Sequence, residues 1–489
     1  MGLDLTNTAA RVEQCRFHYC RLGVSASRTT GAVDPILRAN LFMENLLGFR
    51  SEGGARPDLG TTQSPGGNVF YINTTDAEII NPAAPVAAIG NYWSEAGPDG
   101  EVVRLEDQGL VRARRISGDN SPAGISLAPI GEIAGGQILN SDVVWLGTVD
   151  LTASNTIETE AVRDGQVIRE RALHVGIDSR LRILPGTIVQ VQPRRNIVLL
   201  VSGRLDAIGT PARPIVFRSA ATNRQPTDWR GVRFIDGADL SEPSVMRYCE
   251  VSDAYTGVSV INRSPLLEFV KIRNFADQGV LASSVGQYAR KGGAAAAAGN
   301  PFGIARPRIA DCQIVGGEYG LVCLDAAPVV TRSLLTSSII SSVYITGNNV
   351  PDLGNLEDSD PDNDGANVIG GSIRYDIENL STSAVRAQNN FWGLIASDDL
   401  VDARIFDDNE RYYSGKVIFL PRQGAVPPNF LVAGDLDGNG RLDSADLAAL
   451  SAAWRSVVGD PQYRPQLDVD RDYQIDKNDL LFISNRLTQ

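Results

Sequence analysis

Histidine and cysteine are nearly absent from this chain. It has two histidines, His18 and His174, and five cysteines among 489 residues. Five cysteines with no short regular spacing build neither a disulfide framework nor a zinc site. The histidines lie in Phe17-His18-Tyr19 and Leu173-His174-Val175, where surface strand positions are expected. No run of 18 apolar residues exists, so no membrane-spanning helix is expected. No stripe of lysine and arginine appears either, which disfavours nucleic acid as a partner. The start, Met1-Gly2-Leu3-Asp4, lacks the basic and apolar regions of a signal peptide. Aromatic residues make up only 7%.

What remains is the composition of a globular protein, with 43% hydrophobic and 21% charged residues and room for two or three domains. The formal net charge is −13, and it is localised. Residues Ala433 to Gln489 carry ten Asp against six Lys or Arg, and Asp352 to Asp364 carries six acids and no base. Most of the excess therefore sits in stretches that suit a cation.

In the C-terminal stretch one acidic loop pattern occurs twice. The first copy places Asp435, Asp437, Asn439, Asp443 and Asp446 at positions 1, 3, 5, 9 and 12 of a twelve-residue loop. The second places Asp468, Asp470, Asp472, Asp476 and Asp479 there. Position 7, Arg441 or Gln474, offers its backbone carbonyl, and the aliphatic Leu442 or Ile475 at position 8 ties the loop to a core. A hard cation such as Ca²⁺ takes six to eight oxygens, which this spacing supplies. Each loop runs into an apolar helical stretch, Leu447-Ala448-Ala449-Leu450 with Trp454, and Leu480-Leu481-Phe482-Ile483.

This pair resembles a type I dockerin, a small α-helical, EF-hand-like module. The resemblance implies two Ca²⁺ ions and a cohesin-like protein partner in an extracellular polysaccharide-degrading setting. It also implies that Ser444, Ala445, Lys477 and Asn478, at loop positions 10 and 11, face that partner; the two pairs differ, so one docking orientation is expected. One departure is Tyr473 at position 6 of the second loop, where the first has Gly440. That position favours a residue tolerant of positive φ, which weakens the second site.

Upstream, Cys15, Cys249 and Cys312 are each followed eight residues later by Gly23, Gly257 and Gly320. Two positions after each Cys stand Phe17, Val251 and Ile314, and matching rows hold Phe42, Ile272 and Leu335. An apolar column in six rows, with Gly257 and Gly279 22 residues apart, signals a solenoid of stacked coils. The three cysteines are expected to stack inward as small hydrophobes. Short alternating strands with Gly and Asn at turns make the coils β, and the chain resembles the right-handed parallel β-helix, or pectin-lyase-like, family. Ile183-Leu184-Pro185-Gly186-Thr187 and Trp229-Arg230-Gly231-Val232-Arg233-Phe234 carry that likeness.

A longer duplication overlies the rows. Pro57-Asp58-Leu59-Gly60 recurs as Pro351-Asp352-Leu353-Gly354, and Asn91-Tyr92-Trp93 as Asn390-Phe391-Trp392. The expected fold is mainly β: two tandem right-handed parallel β-helices, the first truncated, followed by the dockerin-like domain. The expected units are the C-terminal part of a first β-helix over 1–118, a connection over 119–139, a second β-helix over 140–422, a linker over 423–432 and the calcium module over 433–489. Because the first copy opens on a repeat row without a cap, a segment carrying a signal peptide is expected upstream, and the protein is expected outside the cell or at its surface.

Two further sites are expected. Asp358, Asp360, Asp362 and Asp364 alternate in one loop and are candidates for a third Ca²⁺, although the matching loop of the first copy, Thr61 to Gly66, has no acid. Asp236, Glu250, Asp253, Lys271 and Arg273 fall on neighbouring rows and form the candidate catalytic cluster. A base beside carboxylates there suits proton abstraction by a polysaccharide lyase, and a carboxylate pair suits glycoside hydrolysis. The Gly-His-Gly segment of the polygalacturonase branch is missing. Two readings follow: a polysaccharide-binding or polysaccharide-degrading protein, or a non-catalytic structural or adhesive β-helix with a calcium-stabilised end.

Overall fold

The computed structural model describes residues 2–30, 34–61, 63–71, 73–80, 86–88, 90–93, 103–106, 111–112, 143–163, 166–177, 179–211, 213–235, 243–284, 303–393, 395, 397–425, 427, 451, 453–456 and 475. It is mainly β, as expected, and its sheets are parallel. From Val143 onward the chain visits three sheets in rotation, of seven, eight and ten strands. One turn runs through Val245–Arg247, Cys249–Ser252 and Val258–Ile261; the next runs through Leu266–Glu268, Lys271–Arg273 and Gln278–Ser283, each strand beside its predecessor. The exception is a hairpin, Ile157–Arg163 with Gln166–Val175, which pairs antiparallel at one edge of the ten-stranded sheet. Residues 3–106 build a separate five-stranded sheet with shorter companions of three and two strands.

A parallel stack repeats each side chain on itself, so an inward column must be apolar throughout. Val251, Ile272, Ile314, Leu335 and Ile369 are in continuous register, and none is more than 2% exposed. In the earlier coil the same column is aromatic: Phe17, Phe42, Phe70 and Trp93 stack with ring centroids 5.1, 4.7 and 4.4 Å apart. Gly257 opens a strand where a Cβ would collide with Ile272 and the carbonyl of Gly279, and Gly279 meets Ile314 in the same way. This steric limit explains the 22-residue glycine spacing.

The cysteine expectation holds for two of three. Cys249 and Cys312 are buried, and burial pushes both thiols up. Cys15 is exposed. Its backbone N–H donates to Asn40 Oδ1 at 3.0 Å on one side, and among the described residues no coil covers the other side.

The duplication extends to individual hydrogen bonds. Isolated bridges join Ile36 to Asp58 and Val329 to Asp352, then Val69 to Tyr92 and Val368 to Phe391. Asn68 and Asn91 repeat as Asn367 and Asn390, each upper Asn accepting the lower one's backbone N–H at 3.0 and 2.8 Å. Such ladders satisfy buried backbone groups where the strands turn.

The two coils touch side by side. Leu41, Met43, Val69 and Tyr92 of the first pack with Val144, Leu146 and Leu184 of the second. Arg182, 4% exposed, donates to Glu44 at 3.0 Å across this contact, and Arg213 lies 5.2 Å from the Tyr92 ring centre. No described helix is long and apolar enough to cross a membrane.

Candidate functional site

The seven- and eight-stranded sheets meet at a one-residue corner. Tyr248 and Phe269 occupy it in successive turns with φ of 49° and 54°, followed by Asp311 and Arg332 at 56° and 47°. Positive φ costs a non-glycine residue about 1–2 kcal/mol. Here each corner N–H is held by the next turn, as Tyr248 N donates to Glu268 O and Phe269 N to Ala310 O, both at 3.1 Å. The conformation leaves Phe269 41% exposed and stacks its ring on Tyr248, with centroids 4.6 Å apart and planes 13° apart.

Beside this aromatic pair runs an outward row from the eight-stranded sheet, Glu250, Lys271 and Gln313, each in register with the next. Rings and row line a hollow of about 280 Å³, with Asp311 at one end and Pro211 and Pro214 at the other. An aromatic face flanked by side-chain donors and acceptors is the kind of surface that holds a sugar ring.

The catalytic candidates divide. Glu250 and Lys271 share the hollow. Arg273 donates to Glu250 at 2.9 Å, so that carboxylate already has a guanidinium partner. Lys271 is exposed and, among the described residues, its ammonium has no ion-pair or hydrogen-bond partner. Asp253 is not the exposed neighbour expected. It is 3% exposed, sits at φ 65°, and accepts from Ser219 N at 3.1 Å, Ser252 Oγ at 3.1 Å and Asn274 Nδ2 at 2.7 Å. Its strained corner turns the carboxylate back to cap neighbouring turns, a structural task. Asp236 lies outside the described residues.

The histidines also divide. His18, half-buried, contacts Glu44. His174, expected on the surface, is 8% exposed with Nε2 2.8 Å from Ser202 Oγ.

The acidic loop does not gather its carboxylates. Asp358 Oδ1 accepts the backbone N–H of Asp360 at 2.9 Å, and Asp360 Oδ1 accepts that of Asp362 at 3.0 Å. Asn363 donates to Asp358 at 3.0 Å and to Asp352 at 2.9 Å. Arg386 pairs with Glu357 at 2.6 Å and Arg308 with Asp362 at 3.3 Å. Hydrogen bonds from Asn363 and the Asp360 backbone hold the Asp358 carboxyl below the usual range, and Arg386 does the same for Glu357. Burial pushes the Asp352 carboxyl up. Among the described residues no three His, Cys, Asp or Glu side chains are grouped to hold a metal ion. The structure does not bring Asp358, Asp360, Asp362 and Asp364 together: local turns take up Asp358 and Asp360, and Arg308 pairs with Asp362.

Sequence reasoning missed two aromatic groups. Tyr248 and Phe269 stand 21 residues apart, one coil, and aligning the outward positions as the inward ones were aligned finds them. On the outer face of the ten-stranded sheet, Tyr344, Glu378 and Phe406 are in register, with Tyr319 5.3 Å from Tyr344 and Tyr375 5.3 Å from Phe406. No fixed spacing marks that group, because insertions of different length separate its strands.

The loop ligands Asp435, Asp437, Asn439, Arg441, Asp443 and Asp446, their second-loop equivalents from Asp468 to Asp479, and Ser444, Ala445, Lys477 and Asn478 lie outside the described residues. Ile475 is described and fully buried; it accepts from Arg455 N and donates to Ser456 O, both at 2.9 Å. The aliphatic residue of the second loop is thus tied down, as its position demanded.

Residues 433–488 match the family model of the dockerin type I domain. Type I dockerins bind calcium and dock to cohesins, so the chain ends in a calcium-binding docking module. Comparison with curated proteins and with solved structures returns no match.

Proposed function

We propose that this is an extracellular protein whose C-terminal module anchors it, with two bound Ca²⁺ ions, to a cohesin-bearing partner, while its coils bind or degrade polysaccharide. The coils are read as two tandem right-handed, pectin-lyase-like β-helices over 1–118 and 140–422, joined by 119–139 and linked to the module by 423–432. The observation that carries docking is the family match over 433–488, at the stretch where two twelve-residue acidic loops recur. The polysaccharide reading is supported by the Tyr248–Phe269 pair beside Glu250, Lys271 and Gln313.

Docking is tested by calorimetry of the full chain with a type I cohesin, with calcium and with EDTA. Calcium-dependent binding is expected; none in either condition overturns the docking reading. Polysaccharide binding is tested by affinity electrophoresis in xylan, pectin and alginate gels. Retardation by at least one polymer is expected, and Phe269→Ala is expected to weaken it about tenfold, the worth of one stacking aromatic. No retardation in any gel overturns it.

A second reading, coils that bind or space without cutting, is favoured by two observations: Glu250 is already engaged by Arg273, and Asp253 is buried under three donors. Assay of the same polymers for reducing ends and for unsaturated products separates the two. Product formation that survives Glu250→Gln and Lys271→Ala moves any catalysis away from this hollow.

A further inference from the structure

At the opposite end of the second coil, the hairpin Ile157–Arg163 and Gln166–Val175 meets the corner that joins Ile188–Val191 to Ile197–Val201. The junction is stitched by backbone. Arg171 N donates to Asn196 O at 3.1 Å, and Asn196 Nδ2 donates to Arg169 O at 3.3 Å. Arg194 and Asn196 hold φ of 58° and 51°, and Arg194 and Arg195 are both exposed. Hairpin and corner enclose an open hollow of about 620 Å³.

The charges around this hollow do not balance. Glu158 is paired with Arg171 at 3.0 Å, and Glu170 takes both arms of Arg233 at 2.6 and 3.0 Å. That leaves Glu160 against Arg169, Arg194 and Arg195. Among the described residues the three guanidinium groups have no ion pair and no hydrogen bond of their own. A chain of net charge −13 thus presents three free arginines against one acid in a single concavity. Guanidinium groups match the paired oxygens of carboxylates and sulfate esters. Exposed as they are, each contact is weak, so affinity comes only from a ligand that engages several at once.

We propose that this hollow binds an extended polymer of oxyanions, a carboxylated or sulfated polysaccharide, at a site separate from the aromatic corner. The test uses the full chain in affinity electrophoresis against polygalacturonate, dextran sulfate and neutral dextran, at low and at physiological salt. Retention by at least one charged polymer is expected, weakening as salt screens the contacts, and whichever polymer is retained identifies the anion. The combined variant Arg169→Ala, Arg194→Ala and Arg195→Ala is expected to lower that affinity about tenfold. Glu160→Gln is expected to raise it, which keeps the proposal testable if the triple variant misfolds. Phe269→Ala is expected to leave retention by dextran sulfate unchanged, so the two sites fail separately. Equal retention by neutral dextran, no retention by either charged polymer, or full binding by the triple variant overturns the proposal.

Discussion

Two stretches of this chain are crowded with aspartate, and they do opposite things with it. In the loop from Glu357 to Gly365 four of the five acids are taken up locally: Asp358 and Asp360 turn back onto main-chain N–H groups two residues ahead, and Arg386 and Arg308 pair with Glu357 and Asp362. At the C-terminus the acids are set two, two, four and three residues apart around an aliphatic anchor, and that stretch is the calcium-binding module. Acid density is therefore a poor guide to a cation site.

The sharpest way to break this contrast is to withdraw calcium. EDTA is expected to unfold the module while leaving the coils intact, because a small metal-folded domain draws its folding energy from the ion. Limited proteolysis should then trim the chain to a resistant fragment ending near residue 432. Asp435→Ala in calcium should give part of the same trimming. A module that resists protease equally with and without EDTA sinks the assignment.

The coils were legible in the sequence where a shared constraint repeats. Every inward position faces the same interior, so Phe17, Phe42, Val251, Ile272, Ile314 and Leu335 had to be apolar whatever the loop lengths between them. Outward positions share no such constraint, which hid the Tyr248–Phe269 pair. Asp253 was misplaced because it was grouped with the outward Glu250, whereas it follows the strand's last residue, Ser252, at a left-handed corner that turns its carboxylate onto neighbouring turns. Cys15 was misplaced because the row pattern gives no sign of whether a coil lies on both sides.

The duplicated closing turns allow a second test, with a smaller expected effect. Asn367 donates to Val330 O and Leu353 O, both at 2.9 Å, and accepts Ser333 N at 2.8 Å. Asn68 donates to Leu37 O at 3.0 Å and to Asn91 Oδ1 at 2.9 Å, and accepts Asn40 N at 3.0 Å. Replacing either by Ala strands buried polar groups at a cost of about 3 kcal/mol. Chemical denaturation should show similar losses in both copies, although only one carries the acidic loop. A much smaller loss at Asn367 would mean that the loop, not the ladder, holds that turn.

The contact between the coils adds a pH dependence. Burial pushes the Glu44 carboxyl up, but its bonds to His18 and Arg182 outweigh this and hold it below the ordinary value. A depressed carboxyl stabilises the folded contact above the unfolded-state pKa, near 4.3. That contribution is lost as pH falls through the lower folded value. Glu44→Gln should therefore destabilise the contact at neutral pH by about 1–2 kcal/mol, since Arg182 loses its charged partner while Asp206 remains 4.0 Å away. The difference between wild type and variant should shrink as pH falls below the ordinary carboxylate range. A difference that persists there would place the effect in packing instead of charge.

The smallest expected effect is none at all, and it bears most directly on the two acidic stretches. Titrating the full chain with calcium is expected to give two sites, with the second weakened by Tyr473 where the first loop has Gly440. Asp358→Ala combined with Asp360→Ala should leave the number and affinity of those sites unchanged, because the hydrogen bonds and arginines of that loop already occupy its carboxylates. A third binding event in the wild type that disappears in this double variant would show that calcium displaces Arg308 and Arg386. Compensation by arginine would then be a resting state of the loop, and the distinction between the two stretches would become one of affinity rather than of kind.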